Sequence, residues 1–291
     1  MSTAHFSADW LQQREPFDAA ARSSAAGPLH LDAFVEAVRP EPGRPWRVVD
    51  LACGMGANLR WLAPRLGGEQ QWLVVDHDAD LLRRWPAHFQ QPTRALERPL
   101  RWTAVGCDVS VVRQQTDLMT GLEALPWAAA DVVTASALLD LVGLPWLQRL
   151  AGAAAQHRTP LLMALNVDGR HIWSLQDPAD AKVGRLFARH QARDKGMGRA
   201  LGAAAIPALQ STLQALGYRV HTAVSDWYLD GRTDPGALQL QRALIAGMAS
   251  AAMEQDRRCI DQVMGWRERR WALADQTVLR VGHLDLCALP S

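Results

Sequence analysis

Residues 47–62 read RVVDLACGMGANLRWL, and the rest of the chain is arranged around them. Val48 and Val49 form a short apolar, β-branched run that ends in an acid, Asp50. A turn of mostly small residues follows, with Ala52, Cys53, Gly54, Gly56 and Ala57, and then Leu59, Trp61 and Leu62 recur at helical spacing. A short strand passing through a Gly-rich turn into a helix is the opening of a nucleotide-binding α/β unit. Glycine suits such a turn because the backbone bends tightly and a ligand must approach where a side chain would stand in its way.

A dinucleotide-binding fingerprint would place a third Gly inside the helix and an acid about 20 residues further on. Position 59 is Leu, so that fingerprint is incomplete. The segment Asp50-Leu-Ala-Cys-Gly-Met-Gly56 instead closely resembles the first motif of the class I S-adenosylmethionine (SAM)-dependent methyltransferases, an acid followed by x-G-x-G-x-G, with Ala52 where the first Gly usually stands. Three further segments resemble that family in the same order. Trp72-Leu-Val-Val-Asp76 closes a second strand with an acid, whose two oxygens suit both ribose hydroxyls of a nucleoside. Ala104-Val-Gly-Cys-Asp108-Val-Ser matches the third-strand segment, which implies Asp108 at the adenine amine and the Val109 amide at the ring nitrogen. Leu125 to Asp140 matches the fourth, with Asp131 at the strand's entry and Ser136 to Asp140 at its exit beside the methyl donor. The resemblance thus implies a cofactor site of Asp50, Ala52, Gly54, Gly56, Asn58, Asp76, His77, Asp108, Val109 and Ser136. Asp78 and Asp80 read as the start of a helix, where Asp suits the cap and first turn.

Composition fits an ordinary enzyme. At 291 residues and 48% hydrophobic, the chain can bury one large core or a core plus an appended helical piece. Its 31 basic and 30 acidic residues leave a net charge of +1, so no basic excess advertises nucleic acid or an anionic membrane. The positive charge is nearly all Arg, the lysines being Lys182 and Lys195. Cys53, Cys107, Cys259 and Cys287 are scattered without a CxxC pair, and no ligand spacing supports a metal. No apolar run reaches the length of a membrane span, and the start lacks the pattern of a signal peptide, so cytoplasm is the expected location.

Before the first strand, Asp9 is placed to cap a helix carrying Trp10, Leu11 and Arg14 that Pro16 breaks, followed by runs over 17–22 and 29–38. The Pro/Gly-rich stretch 39–45 is the clearest linker, giving an N-terminal helical cap over 1–45 and a methyltransferase domain over 46–291. In the family such a cap can give an Arg to the methionine carboxylate. Arg14 and Arg22 are the candidates, since guanidinium pairs carboxylate bidentately, and a salt bridge to Glu15 or Asp18 is the alternative. Between 47 and 166 strands and helices alternate, which argues for a parallel sheet covered on both faces. Strand five is expected over 160–166, a helix over 206–216, strand six over 218–224 and the last strand over 278–288. The resemblance implies a Rossmann-like seven-stranded α/β sheet of order 3-2-1-4-5-7-6 with strand seven antiparallel.

Two insertions enlarge this core, about 167–201 and 226–275. The first is densely polar and carries Arg185, Arg189 and Arg193; the second is mostly helical. In small-molecule methyltransferases these connections form a lid, so the acceptor is expected between them with SAM as its floor. Ligands of open α/β sheets sit at the carboxyl ends of the strands. Methyl transfer from a sulfonium needs placement and, for a protonated nucleophile, a general base. Asp140, His171 and His283 are the candidate bases, each with a bland alternative as a helix cap or a satisfied histidine. The expected activity is SAM-dependent O- or N-methylation of a small acceptor, yielding S-adenosylhomocysteine, and a homodimer is compatible with it. Methylation of tRNA or protein, or non-methyl SAM chemistry such as cyclisation, is the alternative.

Overall fold

The computed structural model describes residues 7–89, 96, 98–194 and 196–291. The first six residues of the expected cap, and Lys195 in the first insertion, lie outside the described residues. In chain order the elements are α1 (Ala8–Ala25), α2 (Leu31–Ala37), β1 (Trp46–Leu51), α3 (Ala57–Leu66), β2 (Gly68–Asp76), α4 (Ala79–His88), β3 (Leu100–Ala104), β4 (Cys107–Gln115) and β5 (Val132–Ser136). Then follow α5 (Leu144–His157), β6 (Leu161–Trp173), α6 (Asp180–Gln191), α7 (Ala205–Ala215), β7 (Tyr218–Val224), β8 (Trp227–Asp230), α8 (Pro235–Gln255), α9 (Ile260–Ala272) and β9 (Val278–Pro290).

The strands form one sheet in the order β3-β4-β2-β1-β5-β6-β9-β7, with β8 paired to β9. Strands β4, β2, β1, β5 and β6 run parallel. β9 is antiparallel to β6 and β7. With β4 as strand three, β5 as four, β9 as seven and β7 as six, this is the expected order 3-2-1-4-5-7-6 with a reversed seventh strand. Two strands are additional: β3, which folds back antiparallel onto β4, and β8.

Apolar side chains on both sheet faces explain the layering. On one face Val49, Leu51 and Met163 pack with Leu147 and Leu150 of α5 and Ile206, Leu209 and Leu213 of α7. On the other, Val48, Trp72 and Val74 pack with Phe34, Leu59, Leu62, Leu82 and Trp85 from α2, α3 and α4. A third cluster joins Trp173, Trp227, Leu229 and Val281 to Trp266, Ile245 and Met248, where α6, α8 and α9 cover the outer reaches of β6, β9 and β8. Among the described residues no helix is long and apolar enough to cross a membrane.

Two local expectations are corrected. Pro16 does not break the first helix; α1 runs through it, and its cap is Ser7, whose hydroxyl accepts from Trp10 N at 3.2 Å, rather than Asp9. Losing one N–H is tolerable because the buried face of α1, with Asp18, Ala21, Arg22 and Ala25, is docked on the domain. Strand five also does not stop at Asn166. β6 continues to Trp173 because β9 offers it a partner for the whole length, with register shifts at 163/166 and 167/171 absorbed near Leu165 (φ 55°) and Gly169 (φ 84°).

The turn after β1 carries a measurable strain. Ala52 sits at φ 50°, in the left-handed region that an L-side chain enters at a cost of roughly 1–2 kcal/mol. Ala52→Gly is therefore expected to raise the unfolding free energy by roughly 0.5–1 kcal/mol, after the entropy gained by the unfolded chain is subtracted. The urea midpoint should rise at an unchanged m-value, and an unchanged or lower midpoint would refute the strain.

Candidate functional site

A cavity of about 460 Å³ opens at the carboxyl ends of β1, β2, β4 and β5. Its floor and walls are Asp50 and the turn Ala52 to Met55, Asp76 to Asp78, Thr116 to Met119, and Ser136 to Leu138. Leu11, Arg14 and Asp18 of α1, with Leu141, Gly196 and Met197, close the remaining side. Of the residues expected at the cofactor, the lining includes Arg14, Asp50, Ala52, Gly54, Asn58, Asp76, His77 and Ser136.

Asp76, almost fully buried, organises the turn. One carboxylate oxygen accepts from the Gly54 amide at 2.8 Å and the other from the Asp78 amide at 2.9 Å, with His77 Nδ1 3.2 Å away. That carboxylate raises the His77 pKa above the ordinary 6.5. A carboxylate offers about four lone-pair positions, so acceptor capacity remains on the cavity side. Gly56 does not line the cavity. It is fixed by the wall behind, since a Cβ there would lie 2.8 Å from the Trp85 ring, and Trp85 Nε1 donates to Gly54 O at 2.8 Å. Asp78 also caps α4, accepting from the Asp80 and Leu81 amides.

Asp50 is wholly buried at the tip of β1. One oxygen accepts from Asn58 Nδ2 at 2.6 Å, while Oδ2 has no hydrogen-bond partner among the described residues. Asn58 is held from both sides: Nδ2 also donates to Thr134 Oγ1 at 3.1 Å, and its carbonyl accepts from the buried Arg22 at 2.7 Å. Burial lifts the Asp50 pKa from the ordinary 3.8 to about 7, opposed by the Asn58 hydrogen bond and the Arg22 charge and reinforced by Asp76.

The arginine expected at a cofactor carboxylate is already engaged. Arg14 donates bidentately to Asp18 at 2.9 and 3.1 Å, and its guanidinium lies 5.0 Å from the centre of the Trp227 ring. Trp227 Nε1 in turn donates to Asp18 at 2.9 Å. Both sequence alternatives are thus partly met: Arg14 reaches the cavity, and it is paired. Among the described residues five carboxyl groups line the cavity, on Asp18, Asp50, Asp76, Asp78 and Asp117, against one guanidinium, that of Arg14, which is paired with Asp18.

Asp108 and Val109 are placed elsewhere. They lie at the amino end of β4, in register with Glu69 and Gln70, with Asp108 exposed and accepting from Thr103 Oγ1 at 2.8 Å, and Val109 buried beneath the sheet. The expected strand end is its beginning, because Gly106 (φ 81°) turns the β3–β4 hairpin and the β-branched Val109, Val111 and Val112 continue the strand beyond it. At the opposite end stand Thr116 and Asp117, which line the cavity; Asp117 also accepts from the Met119 amide at 2.8 Å. The missed signal is an acid two residues after β4 ends at Gln115.

The candidate bases are not among the cavity-lining residues either. Asp140 is buried in a short turn between the lining residues Leu138 and Leu141. His171 is carried along the extended β6, edge-on to Phe187 at 5.7 Å, with desolvation lowering its pKa. His283 lies buried on β9, Nδ1 3.0 Å from Val281 O and its ring 4.8 Å from Trp227, and desolvation followed by the Arg14 charge lowers its pKa to about 3. The lid expectation needs the same correction. The first insertion contributes Gly196 and Met197 to the lining, and the second contributes none of it. Arg189 and Arg193 instead edge a separate surface groove, where Arg193 donates to Gln255 and to Glu254 O.

No protein-family model matches the chain, and no curated protein matches it. Solved structures similar to it include phosphoethanolamine N-methyltransferase 2 of Haemonchus contortus in complex with phosphomonomethylethanolamine and S-adenosylhomocysteine, at 13% identity and TM-score 0.42. That match covers 98% of this chain and 59% of the other, so the chain spans less than two thirds of that structure's length. A SAM-dependent methyltransferase from Geobacter sulfurreducens in complex with S-adenosylhomocysteine is similar at 17% identity, with 91% of each chain covered and TM-score 0.40. Geranyl diphosphate C-methyltransferase from Streptomyces coelicolor A3(2) is similar at 11% identity, with 90% of this chain and 77% of the other covered and TM-score 0.43.

The buried carboxyl groups make stability depend on pH. An unfolded Asp50 ionises near 3.8 and the folded one at about 7, so between these values the folded state keeps a proton that the unfolded state has released. Stability is then lost as pH rises through that window, by up to about 1.4 kcal/mol per pH unit for one group. Burial pushes Asp18 and Asp285 upward as well, with the same sign. Urea unfolding of the free protein from pH 4.5 to 7.5 should show the decline, and Asp50→Asn should flatten it. Equal slopes in the two proteins would exclude Asp50 as its source.

Proposed function

We propose that this chain is a SAM-dependent methyltransferase acting on a small-molecule acceptor. The observation that carries the reading is the cavity itself: a glycine turn and carboxylates at successive strand tips, with Asp50 Oδ2 buried and lacking a partner among the described residues. An acidic, partly desolvated site suits a nucleoside that carries positive charge, because charges attract more strongly where water is thin. SAM, when bound, supplies an electrophilic methyl on a cationic sulfur.

The chain's own residues then hold and orient. Asp76 presents acceptor capacity for ribose hydroxyls while its hydrogen bonds to Gly54 and Asp78 fix its carboxylate plane. Asp117 takes the place at the third strand that Asp108 was expected to fill, with Leu118 and Met119 as apolar neighbours for a purine. Ser136 to Leu138 and Leu141, with Leu11 and Met197, offer an apolar end to the acceptor. Positioning of the acceptor supplies the acceleration. Asp140, His171 and His283 contribute as bases only where a water or a movement links them to the cavity. Which atom is methylated, O or N, is left to the acceptor.

Isothermal titration calorimetry with S-adenosylhomocysteine tests the reading. The unmodified protein should bind it, and Asp76→Asn and Asp117→Asn should each weaken binding by about tenfold or more, the worth of one charge-assisted hydrogen bond. Asp108→Asn should leave affinity unchanged. Absence of binding by the unmodified protein, or loss through Asp108 and not Asp117, would overturn the assignment.

A further inference from the structure

The first insertion carries Arg189-His-Gln-Ala-Arg193-Asp194 and, five residues further on, Arg199. Arg189 and Arg193 stand four residues apart at the end of α6, with Ala188 and Ala192 beside them at the same spacing. The small alanines leave room above the helix end, and the three arginines edge an open groove of about 730 Å³ there. That volume is in the range of small-ligand sites. No lining residue is shared with the cavity at the strand tips.

Among the described residues the groove sets three guanidiniums against one carboxylate, that of Asp194. Asp194 is spent on its own turn: Oδ1 accepts from the Gly196 amide at 2.8 Å and the Gly198 amide at 3.1 Å. No ion pair joins it to Arg189, Arg193 or Arg199 among the described residues. Arg193 is anchored by Nε on Gln255 at 3.0 Å and by Nη2 on Glu254 O at 3.2 Å, which leaves Nη1 uncommitted. Arg199 is held through its backbone. A Cβ on Gly143 would lie 3.3 Å from Arg199 O, and Gly143 N and Leu201 N donate to Met197 O and Val142 O, each at 2.9 Å. Arg189, in the last turn of α6, complements that helix end. Arg199 lies on no helix, and no described group accepts a hydrogen bond from it or from Arg189. Like charges gathered on fixed supports repel one another, and an anion between them relieves that repulsion.

We propose that this groove binds the phosphoryl group of a small phosphorylated metabolite through Arg189, Arg193 and Arg199, at a site separate from the strand-tip cavity. Three guanidiniums suit a tetrahedral group with several anionic oxygens better than a planar carboxylate, which a single arginine satisfies bidentately. A small ligand is favoured over nucleic acid because a chain of net charge +1 carries no general basic excess to follow a phosphodiester backbone. The site stands whether or not the cavity takes SAM.

Calorimetry on the full chain tests this, with sodium pyrophosphate as the probe and inorganic phosphate and acetate as comparators. Pyrophosphate should bind at one site per chain, phosphate more weakly, and acetate not measurably. Arg189→Gln and Arg199→Gln should each weaken pyrophosphate binding by about tenfold or more, the worth of one charge-assisted hydrogen bond. Both side chains are exposed, so the variants should keep the thermal midpoint of the unmodified protein. Arg219→Gln removes the same charge from exposed β7, outside the groove, and should leave binding unchanged. Excess S-adenosylhomocysteine should not displace pyrophosphate. Absence of pyrophosphate binding up to millimolar concentration, equal losses in all three variants, acetate binding as tightly as phosphate, or displacement by S-adenosylhomocysteine overturns the proposal. Tighter binding of bulk tRNA through the same arginines overturns the assignment to a small ligand. Failure of S-adenosylhomocysteine to bind counts against the cofactor reading alone, and the pyrophosphate titrations still decide this one.

Discussion

Where α1 crosses the turn after β1, one buried guanidinium holds the arrangement together. Arg22 is 2% exposed, donates to Asn58, and stacks 3.8 Å from the Trp61 ring. Asp285, Asp50 and Asp18 surround it electrostatically, on β9, β1 and α1 itself. Burial lowers its pKa to about 10, which leaves it charged at neutral pH. A buried charge is costly alone, and the three acids raise the Arg22 pKa against that burial. Through Asn58 this cluster reaches the tip of β1, and through Asp18 it reaches Arg14 and Trp227.

The same helix is clamped on its other flank. Glu15 pairs with Arg60 at 2.6 Å, and Trp61 Nε1 donates to Ala19 O at 3.2 Å. α1 is thus a fixed side of the cavity. The two insertions, by contrast, pack against each other and on the outer strands, with α6 against α8 and Trp266 hydrogen-bonded to Asp180. The cavity owes its shape to the turn, α1 and the loops after β4 and β5.

How much of this was legible follows from how local each signal is. The turn after Val49 and the acid closing β2 are written in adjacent residues and appear where the sequence places them, while the order of the strands was implied by the resemblance those residues carry and not by their spacing. Asp108 misled because a hairpin and a strand end share one signature, a Gly beside an acid; only pairing with β2 shows that the strand starts there. His171 and His283 misled because β6 and β9 lengthen each other, a partnership between segments more than a hundred residues apart. The pairing of Arg14 with Asp18 sits at ordinary helical spacing, i to i+4, and was one of two readings the sequence allowed. Its burial against Trp227 depends on a residue far along the chain and has no local trace.

The position of β9 sets a timetable for assembly. β7 pairs with no described strand except β9, and β8 likewise, so both are made before anything exists to receive them. When β9 arrives it must slip between β6 and β7, closing a loop from Leu161 to Ala288 and burying Asp285 beside Ser225 and the Leu165 amide. Such distant closures carry a large entropic cost before their contacts repay it, and they slow folding. β7 and β8 therefore wait on one late strand, exposing unsatisfied edges to neighbouring chains until it comes.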